Sequence, residues 1–566
     1  MSISQNYPLT SPSLSLDFAN TKALDPRITF SRPTSAVYYD GQTVTKAEEN
    51  LLTYSEDVSQ AVWTTNVSSK GLVAGTNPLG VSQNISRVTA SGAGRGIQQA
   101  RANTGTFALS VWLRSVSGSG NASILLTGIT DSGYFAITSD WVRYTLTGTG
   151  TLNDVRFLAE LSGDVFEFWG AQLEQRDTVT AYTPTTTQPI TNYIPTLLTA
   201  PANSARFDHN PVTGESLGLL VEEQRTNLLL RSEEFDNVYW GKTNVTVTSN
   251  TVIAPDGTLT GDKLIPSTDA NQHSLVAPDI PAGTYAWSAY FKSAEYIHAA
   301  ITCFDGASYK VATLYDLENG TIVNSAVGST STITPVGNGW FRCTVSATLA
   351  TGSLYGGAQY RPNIGGVSAV EGTAGDGYSG IYICGASLEQ GSFSTSYIKT
   401  EASQVTRSAD FASMTGANFS DWYRQDEGSF YAEAMTASNA SSDQIIFGII
   451  GTSLTNGVYI VRQSQAASGT VYGICNDAGL QVALLNLGTP SASTEIKTIM
   501  AYKTNDFAGS LNSATVVTDT SGRVSQGVTV AYIGSSGIDQ YINSTIKRIS
   551  YYPLRLSNTN LQALTS

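Results

Sequence analysis

Residue types that commonly perform catalysis are sparse in this sequence. Only three histidines occur, His209, His273 and His298, and none lies in a Gly-x-Ser-x-Gly segment or a His-Glu-x-x-His pair. Those two patterns position a serine nucleophile and a zinc ion, so the sequence lacks two common routes to hydrolysis. We interpret the three histidines as turn or surface residues.

Acidic residues recur as adjacent pairs, but their spacing does not suit catalysis. The pairs are Glu48–Glu49, Glu222–Glu223, Glu233–Glu234 and Asp426–Glu427. A glycosidase needs two carboxyl groups about 5–10 Å apart that face each other across a cleft. Neighbours on an extended strand point to opposite faces instead. We therefore interpret the pairs as solvated edges and predict no catalytic residue and no enzymatic activity.

Glycine-rich and acidic loops give no clear cofactor site. The stretches at 91–96 and 371–377 lack the Lys-Ser/Thr pair of a phosphate loop, which indicates turns. The loops DGTLTGD (256–262) and GDGYSG (375–380) offer carboxylates and carbonyls of the kind that bind Ca²⁺. Neither follows a known calcium-loop pattern. We expect no cofactor, and a structural calcium ion stays open as an alternative.

A binding surface is the remaining kind of site. Few charges, many Asn and Ser and 28 Tyr suit the stacking of aromatic rings on sugars beside hydroxyl and amide groups. The densest group of such residues supplies the ligand-binding candidates: Tyr355, Tyr360, Arg361, Asn363 and Tyr378. The alternative is that these are ordinary surface or subunit-packing residues.

An internal duplication predicts the scaffold that carries these candidates. NLLTYSEDVSQAVWTTN at 50–66 matches NLLLRSEEFDNVYWGKT at 227–243, and GTFALSVWLRS at 105–115 matches GTYAWSAYFKS at 283–293. A Trp-x-Arg segment and a GA-x-LEQ segment follow in the same order. The resulting anchors are Trp63, Trp141, Arg143 and Glu174 in the first copy and Trp240, Trp340, Arg342 and Glu389 in the second. We interpret all eight as structural residues and expect each glutamate to pair with the arginine of its copy.

Alternation of apolar residues predicts that the matched segments are strands. One face carries Phe107, Leu109, Val111 and Leu113 in the first copy and Tyr285, Trp287, Ala289 and Phe291 in the second. A period of two with one apolar face is typical of a strand in a sandwich. At 566 residues the chain is too long for one core. The fold class is therefore all-β and multi-domain, with two duplicated jelly-roll-type sandwiches. Longer spacings in the second copy predict elaborated loops or extra hairpins.

Composition limits the partners. A net charge of −14 disfavours nucleic acid and anionic membranes, whereas a neutral glycan is compatible with it. The four cysteines, Cys303, Cys343, Cys384 and Cys475, are expected to be buried free thiols. The N-terminal residues lack the features of a signal peptide, and no apolar stretch is long enough to span a bilayer. We expect no membrane insertion.

The segments outside the repeats resemble a group of tailed-phage structural proteins. Residues 16–44 (LDFANTKALDPRITFSRPTSAVYYDGQTV) and 204–227 (SARFDHNPVTGESLGLLVEEQRTN) resemble the two halves of their N-terminal cassette, here separated by the whole first repeat. Residues 405–411, 422–431 and 546–566 resemble the beginning and end of a concanavalin-like, laminin-G-type sandwich. In the last of these segments we expect a short helix capped by Ser557 or Asn558.

The resemblance implies a division of the chain. We expect a discontinuous virion-attachment cassette at 1–49 and 188–225, an inserted first repeat at 50–187, a second repeat with longer loops at 226–400, and a concanavalin/laminin-G-like sandwich at 401–566.

The resemblance further implies a phage virion protein of tail-fibre or spike type. It would act as an adhesin for host cell-surface polysaccharide, alongside other virion proteins. Two alternatives stay open: a purely structural head-fibre, decoration or tail-attachment subunit, and a polysaccharide depolymerase. We also expect a homo-oligomer, with a trimer implied by the resemblance. Its location would be the virion, after synthesis in the host cytoplasm.

Overall fold

Segments rich in Thr, Val and Tyr, separated by Gly and Asn turns, form antiparallel strands throughout the described chain. The computed structural model describes residues 11–566 except 67, 279, 305–308, 350–354, 362–373, 437–441 and 465–466. The helices described in it are short: Phe18–Thr21, Ala417–Ser420 and Asn558–Leu564. Within the described ranges no helix has the length and apolar character needed to cross a membrane. The all-β prediction is confirmed.

The first repeat forms one nine-stranded sheet. In sheet order its strands are Thr130–Asp131, Asn121–Thr127, Val142–Ala159, Arg95–Ser117, Val165–Glu174, Ser82–Ala90 and Ser68–Thr76, with Phe135–Ala136 beside the second and Thr64–Asn66 beside the fourth. Ile97 and Leu113, near opposite ends of one long strand, belong to the same core cluster. The sheet therefore folds over on itself as a sandwich. The four alternating residues predicted to face the core are fully buried there.

The second repeat divides the same arrangement between two six-stranded sheets. One contains Gly241–Thr243, Ser274–Val276, Tyr355–Arg361, His298–Phe304, Tyr309–Asp316 and Thr321–Asn324; the other contains Val245–Val252, Gly261–Pro266, Ile381–Gln390, Gly283–Ser293, Trp340–Leu349 and Thr330–Gly337. The strands at 309–316, 321–324 and 330–337 fill the first of its longer spacings. The predicted extra hairpins are confirmed there. Much of the second long spacing lies outside the described residues.

The C-terminal third of the chain belongs to a third sandwich, which we call the outer sandwich. Its first sheet contains Arg206–His209, Ser216–Val221, Ser544–Tyr552, Glu427–Met435, Glu495–Lys503, Phe507–Leu511 and Val517–Asp519, with Leu14–Asp17 also paired to the third of these. Its second sheet contains Thr29–Ser31, Phe411–Thr415, Val530–Ile533, Gln444–Ile450, Gly457–Arg462, Val471–Asp477 and Leu480–Gly488. Ser557 caps the final helix by accepting the N–H of Asn560.

Strands of the expected cassette lie inside this outer sandwich. Three of them, at 14–17, 29–31 and 216–221, pair with C-terminal strands, and a fourth, at 206–209, extends the same sheet by pairing with 216–221. Their apolar side chains enter the same core, which makes separation from the C-terminal sandwich unfavourable. The cassette and the C-terminal region therefore share their sheets, and both repeats are insertions between strands of one outer sandwich.

Short two-stranded ladders connect the outer sandwich to the repeats. Ala36–Tyr38 pairs with Leu198–Ala200, and Val44–Asn50 pairs with Ile190–Pro195, on the way to the first repeat. The ladder to the second repeat is formed by Arg225–Asn227 and Val405–Arg407. Each insertion thus leaves and returns through adjacent antiparallel strands, which is how a loop of a sandwich accepts a whole domain.

Five charged side chains with almost no access to water join these segments, and we call them the junction network: Arg32, Arg206, Arg407, Glu222 and Asp410. Arg32 Nη1 lies 2.9 Å from Asp410 Oδ1, and Arg206 Nη2 lies 2.5 Å from Asp410 Oδ2 and 2.8 Å from Glu222 Oε2. Arg407 Nη1 lies 3.5 Å from Glu222 Oε2. Burial opposes ionisation of Glu222, but the two adjacent guanidinium groups outweigh it and hold its pKa well below the usual range.

Removing one charge from the junction network should destabilise the outer sandwich strongly. In Asp410→Asn two arginines lose their shared carboxylate in a dry site, so we expect the free energy of unfolding to fall by about 3–5 kcal/mol. Chemical denaturation followed by circular dichroism measures this change. Arg424→Gln is the control, because its ion pair with Asp426 is exposed, and it should leave the transition almost unchanged. Equal midpoints for the two variants would contradict the role assigned to the network.

Candidate functional site

The two repeats build the same buried hydrogen-bonded frame around their first strand. Asn50 Nδ2 donates to the carbonyl oxygens of Ala171 and Thr183, both at 2.9 Å. Asn227 makes the two equivalent bonds in the second repeat, at 3.1 and 2.8 Å. A fully buried side-chain amide can be tolerated only when it is paired in this way. The frame fixes the strand that ends each repeat against the strand that begins it.

A tyrosine of each repeat is anchored by a serine and a glutamate. The Tyr182 hydroxyl lies 2.6 Å from Ser55 Oγ and 3.1 Å from Glu56 Oε1. The Tyr397 hydroxyl lies at 2.7 and 2.9 Å from the equivalent serine and glutamate. Burial, together with the neighbouring carboxylate, raises the pKa of both phenols well above the usual value. Both tyrosines therefore act as neutral hydrogen-bond donors.

The shared glutamates and arginines are linked through a threonine. Thr180 donates its N–H and its hydroxyl to Glu174 at 2.9 and 2.7 Å, and its carbonyl oxygen accepts a 2.9 Å bond from Arg143 Nη2. Glu389 and Arg342 bond the equivalent threonine in the same manner. The shared positions in the sequence predict a direct ion pair between glutamate and arginine, but among the described contacts the two are connected through the threonine. The ion pair of Glu174 is with Arg176, at 3.2 Å.

The tryptophan anchors hold loops to strands. Trp63, Trp240, Trp141 and Trp340 each donate the indole N–H to a main-chain carbonyl oxygen, at 2.9 or 3.0 Å. Three of these rings are buried, whereas Trp141 is half-buried. In the second repeat the corresponding ring, Trp340, is covered because Ile194 and Leu197 of the connecting segment belong to its core cluster. The duplicated contacts therefore carry the scaffold.

One face of the first repeat combines aromatic rings with a stacked cation. Arg143 Cζ lies 4.5 Å from the centroid of Trp112. Trp169 and Tyr182 lie with their ring centroids 5.3 and 5.6 Å from Trp112. Gly170, at φ +63°, makes the close packing possible, since a Cβ there would lie 2.9 Å from Trp112. We call this group the aromatic–arginine face.

The aromatic–arginine face opens onto a cleft of about 550 Å³ between the repeats, which we call the inter-repeat cleft. The second repeat supplies the opposite wall through Tyr378 and Tyr382. The repeats touch beside the cleft, where Ala181 N–H donates to the Thr251 carbonyl oxygen at 2.7 Å. A ligand in this cleft would contact both copies.

Two lysines and two glutamates around the inter-repeat cleft form ion pairs. Lys263 Nζ lies 2.8 Å from Glu295 Oε2, and Lys292 forms an ion pair with Glu48. Burial by itself would raise the pKa of Glu48. The ammonium group of Lys292 has the larger effect, so the pKa lies below its usual value. Tyr378 lies over Lys263, with the ammonium nitrogen 5.4 Å from the ring centroid. The cleft is polar without a strong excess of either charge.

Two buried donors in the aromatic–arginine face lack an acceptor. Trp169 is 2% exposed, and its indole N–H has no hydrogen-bond partner among the described residues. Arg143 Nε likewise has no hydrogen-bond partner among the described residues. An unpaired buried donor is unfavourable, so a ligand oxygen at either position would be stabilised.

The predicted ligand residues are only partly placed. Tyr378 lies in the inter-repeat cleft. Tyr355, Tyr360 and Arg361 lie in the strand Tyr355–Arg361, but their side chains are outside the described part, as is the whole of Asn363. Sequence reasoning missed Trp112 and Trp169 as ligand candidates. The signal was the difference between copies, since Tyr290 and Cys384 occupy the equivalent places.

The acidic loops considered for calcium use their carboxylates locally. Asp376 accepts the N–H groups of Tyr378 and Ser379 at 2.8 and 2.6 Å, and Asp256 accepts the N–H of Thr258 at 2.9 Å. Across the described ranges there is no group of three His, Cys, Asp or Glu side chains that could hold a metal ion. The four cysteines are buried and unbridged, which confirms the prediction of free thiols.

Several solved structures show a distant similarity to this chain. No protein-family model matches the sequence, and no curated protein matches it. The CBM40 of a Ruminococcus gnavus IT-sialidase is 12% identical, covering 25% of this chain and 84% of its own, with a TM-score of 0.22. The CBM22-1–CBM22-2 tandem of Paenibacillus barcinonensis Xyn10C is 12% identical, covering 61% of this chain and 98% of its own, with a TM-score of 0.19. Domains LG4-5 of the mouse laminin alpha1 chain are 10% identical, covering 52% of this chain and 92% of their own, with a TM-score of 0.18.

The anchored tyrosines provide a matched pair of variants. Tyr182→Phe and Tyr397→Phe each remove one hydroxyl that bonds a serine and a glutamate, while the ring is kept. We expect each to lower the stability of its own repeat by about 1–2 kcal/mol. Hydrogen exchange resolved by peptide mass spectrometry would assign the loss to one repeat. A loss in only one of the two variants would contradict the equivalence of the sites.

Proposed function

We propose that this chain is a non-catalytic phage virion protein of tail-fibre or spike type that binds host cell-surface glycans in the inter-repeat cleft. The observation that carries the proposal is the cleft's combination of aromatic rings with unpaired buried donors. Sugars present ring faces for stacking and oxygens for hydrogen bonds, so both features have a partner in a glycan. A cleft of about 550 Å³ lies within the usual size range of small-ligand sites.

The carboxylates of the cleft support binding rather than hydrolysis. Glu48 and Glu295 are held by lysines, and Glu56 accepts the Tyr182 hydroxyl. A retaining or inverting glycosidase needs one carboxyl with a raised pKa and a second one free to act as base or nucleophile. Glu48 has the opposite shift, because its lysine lowers the pKa. We therefore propose retention of an intact glycan.

The virion assignment rests on the resemblance of the cassette segments to tailed-phage structural proteins. The outer sandwich contains those segments, so in this proposal it attaches to other virion proteins while the inserted repeats project towards the host. Association into a homo-oligomer, with a trimer as the expected form, would multiply weak glycan contacts into stable attachment.

Glycan binding should depend on the unpaired donor of the cleft. Trp169→Phe keeps an aromatic ring and removes the N–H, so we expect a dissociation constant about 3- to 10-fold higher. Tyr378→Ala removes the opposite wall and should weaken binding as well. The measurement is a screen of bacterial surface polysaccharides on an array, followed by calorimetry with the best binder. Tyr134→Ala is the control, because that residue is 46% exposed in the first repeat and does not line the inter-repeat cleft.

Three outcomes of this experiment would contradict the proposal. They are the absence of any binder, binding that neither cleft variant changes, and release of reducing sugars from the bound polysaccharide. The last result would favour the depolymerase alternative.

The virion assignment has its own test. Antibody labelling of purified particles, viewed by electron microscopy, should place the chain on the tail at a copy number that is a multiple of the oligomer. Labelling on the capsid would favour the purely structural alternative, and its absence from particles would overturn the virion assignment.

A further inference from the structure

A second cleft lies between the second repeat and the outer sandwich. It encloses about 580 Å³, and we call it the outer cleft. Tyr290, Arg342 and Tyr397 form part of its wall on the side of the second repeat, while Tyr39 and His209 line it from the other side. The outer cleft shares none of its lining residues with the inter-repeat cleft.

The duplication explains why both clefts exist. Tyr290, Arg342 and Tyr397 of the second repeat are equivalent to Trp112, Arg143 and Tyr182 of the first, so the same face of each copy meets its neighbour. The contact beside each cleft is also equivalent. Ala181 bonds the second repeat, and its counterpart Ser396 bonds Glu222 of the junction network through its N–H and hydroxyl, at 2.7 and 2.6 Å.

His209 places an acceptor in the wall of the outer cleft. The side chain is 2% exposed, and its Nδ1 lies 2.9 Å from the Phe207 carbonyl oxygen and 3.1 Å from that of Tyr39. Because carbonyl oxygens only accept, Nδ1 carries a hydrogen, and in the neutral tautomer with that hydrogen Nε2 has a lone pair. Among the described residues Nε2 has no partner. Gly41, at φ +71°, leaves room for the ring, since a Cβ at this position would collide with Cδ2 of His209.

Tyr39 adds a hydroxyl group to the same wall. The residue is 8% exposed, and its hydroxyl has no hydrogen-bond partner in the described structure. Its N–H is held by Asp208 Oδ1 at 2.8 Å, which fixes the backbone beside His209. Burial raises the pKa of Asp208 to about 6, and its carboxyl group lines the same cleft.

The facing strands of the second repeat bring hydroxyl groups to the cleft. Thr332 and Thr344 lie side by side with their hydroxyl oxygens 2.7 Å apart. Phe393 and Pro335 add apolar surface nearby. The wall contains one arginine, Arg342, and two carboxylates, Asp208 and Glu222, and Glu222 is paired with arginines of the junction network, so neither sign of charge strongly predominates.

We propose that the outer cleft is a second binding site, which takes a small neutral ligand of the saccharide class independently of the inter-repeat cleft. A hydroxyl group both donates and accepts, so a sugar hydroxyl that reaches His209 Nε2 or the Tyr39 hydroxyl can pair with it. The apolar surface of Phe393 receives the C–H face of the sugar ring. The proposal does not rest on glycan binding in the inter-repeat cleft, because the two sites have separate walls.

The test uses the full chain and a mixture of glucose, galactose, mannose and N-acetylglucosamine, observed by saturation-transfer NMR. Tyr39→Phe removes a hydroxyl that has no partner among the described residues, so folding should be unaffected and affinity should fall about 3-fold or more. Val212→Trp fills the mouth of the cleft at a residue that is 56% exposed, and it should abolish the signal from this site. Tyr134→Phe is the matched control and should leave binding unchanged.

The outcomes separate this proposal from the previous one. A sugar signal that both outer-cleft variants reduce, and that Trp169→Phe leaves unchanged, supports the second site. A signal that only Trp169→Phe reduces, a signal insensitive to both outer-cleft variants, or no signal from any of the four sugars would overturn it. Circular dichroism shows whether Val212→Trp is folded. If Val212→Trp does not fold, the result for Tyr39→Phe alone tests the proposal.

Discussion

Three arginines and two carboxylates, all withdrawn from water, meet where both repeats leave the outer sandwich. Arg32 and Arg206 come from the segments that flank the first repeat, whereas Glu222, Arg407 and Asp410 flank the second. Burying these charges is costly, and the cost is offset only while every partner is in place. The network therefore requires all four chain crossings to assemble together. Ser396 then bonds Glu222 and fixes the second repeat on this foundation.

The same mode of contact is used twice in the rest of the molecule. The second repeat rests on the outer sandwich through the same face with which the first repeat rests on the second. Because equivalent faces meet different neighbours, two clefts with related walls are formed. The walls differ in their residues, since Trp112 and Trp169 in one copy correspond to Tyr290 and Cys384 in the other. The unpaired groups differ accordingly, with the Trp169 N–H in one cleft and His209 Nε2 in the other.

The scaffold could be anticipated residue by residue, but the sites could not. Phe107 and its alternating neighbours identify a strand because burial of one face follows from the pleat alone. Tyr378 was selected by local composition and lies in a cleft, yet its companions Trp112 and Trp169 come from the other repeat. The threonine relay between Glu174 and Arg143 was also missed. It depends on a loop that turns back on its own strand, and residue types do not specify that path.

The sequence by itself determined the all-β class, the duplication, the buried thiols and the capped terminal helix. Each of these depends on periodicity, on matching segments or on local hydrogen bonding, all of which are properties of short stretches of chain. Only the tertiary structure decided that the expected cassette joins the sheets of the C-terminal sandwich and that two clefts form at equivalent faces. Those features pair residues hundreds of positions apart, such as Arg32 and Asp410. Strand register and burial of charge select such partners, and neither is encoded by proximity in sequence.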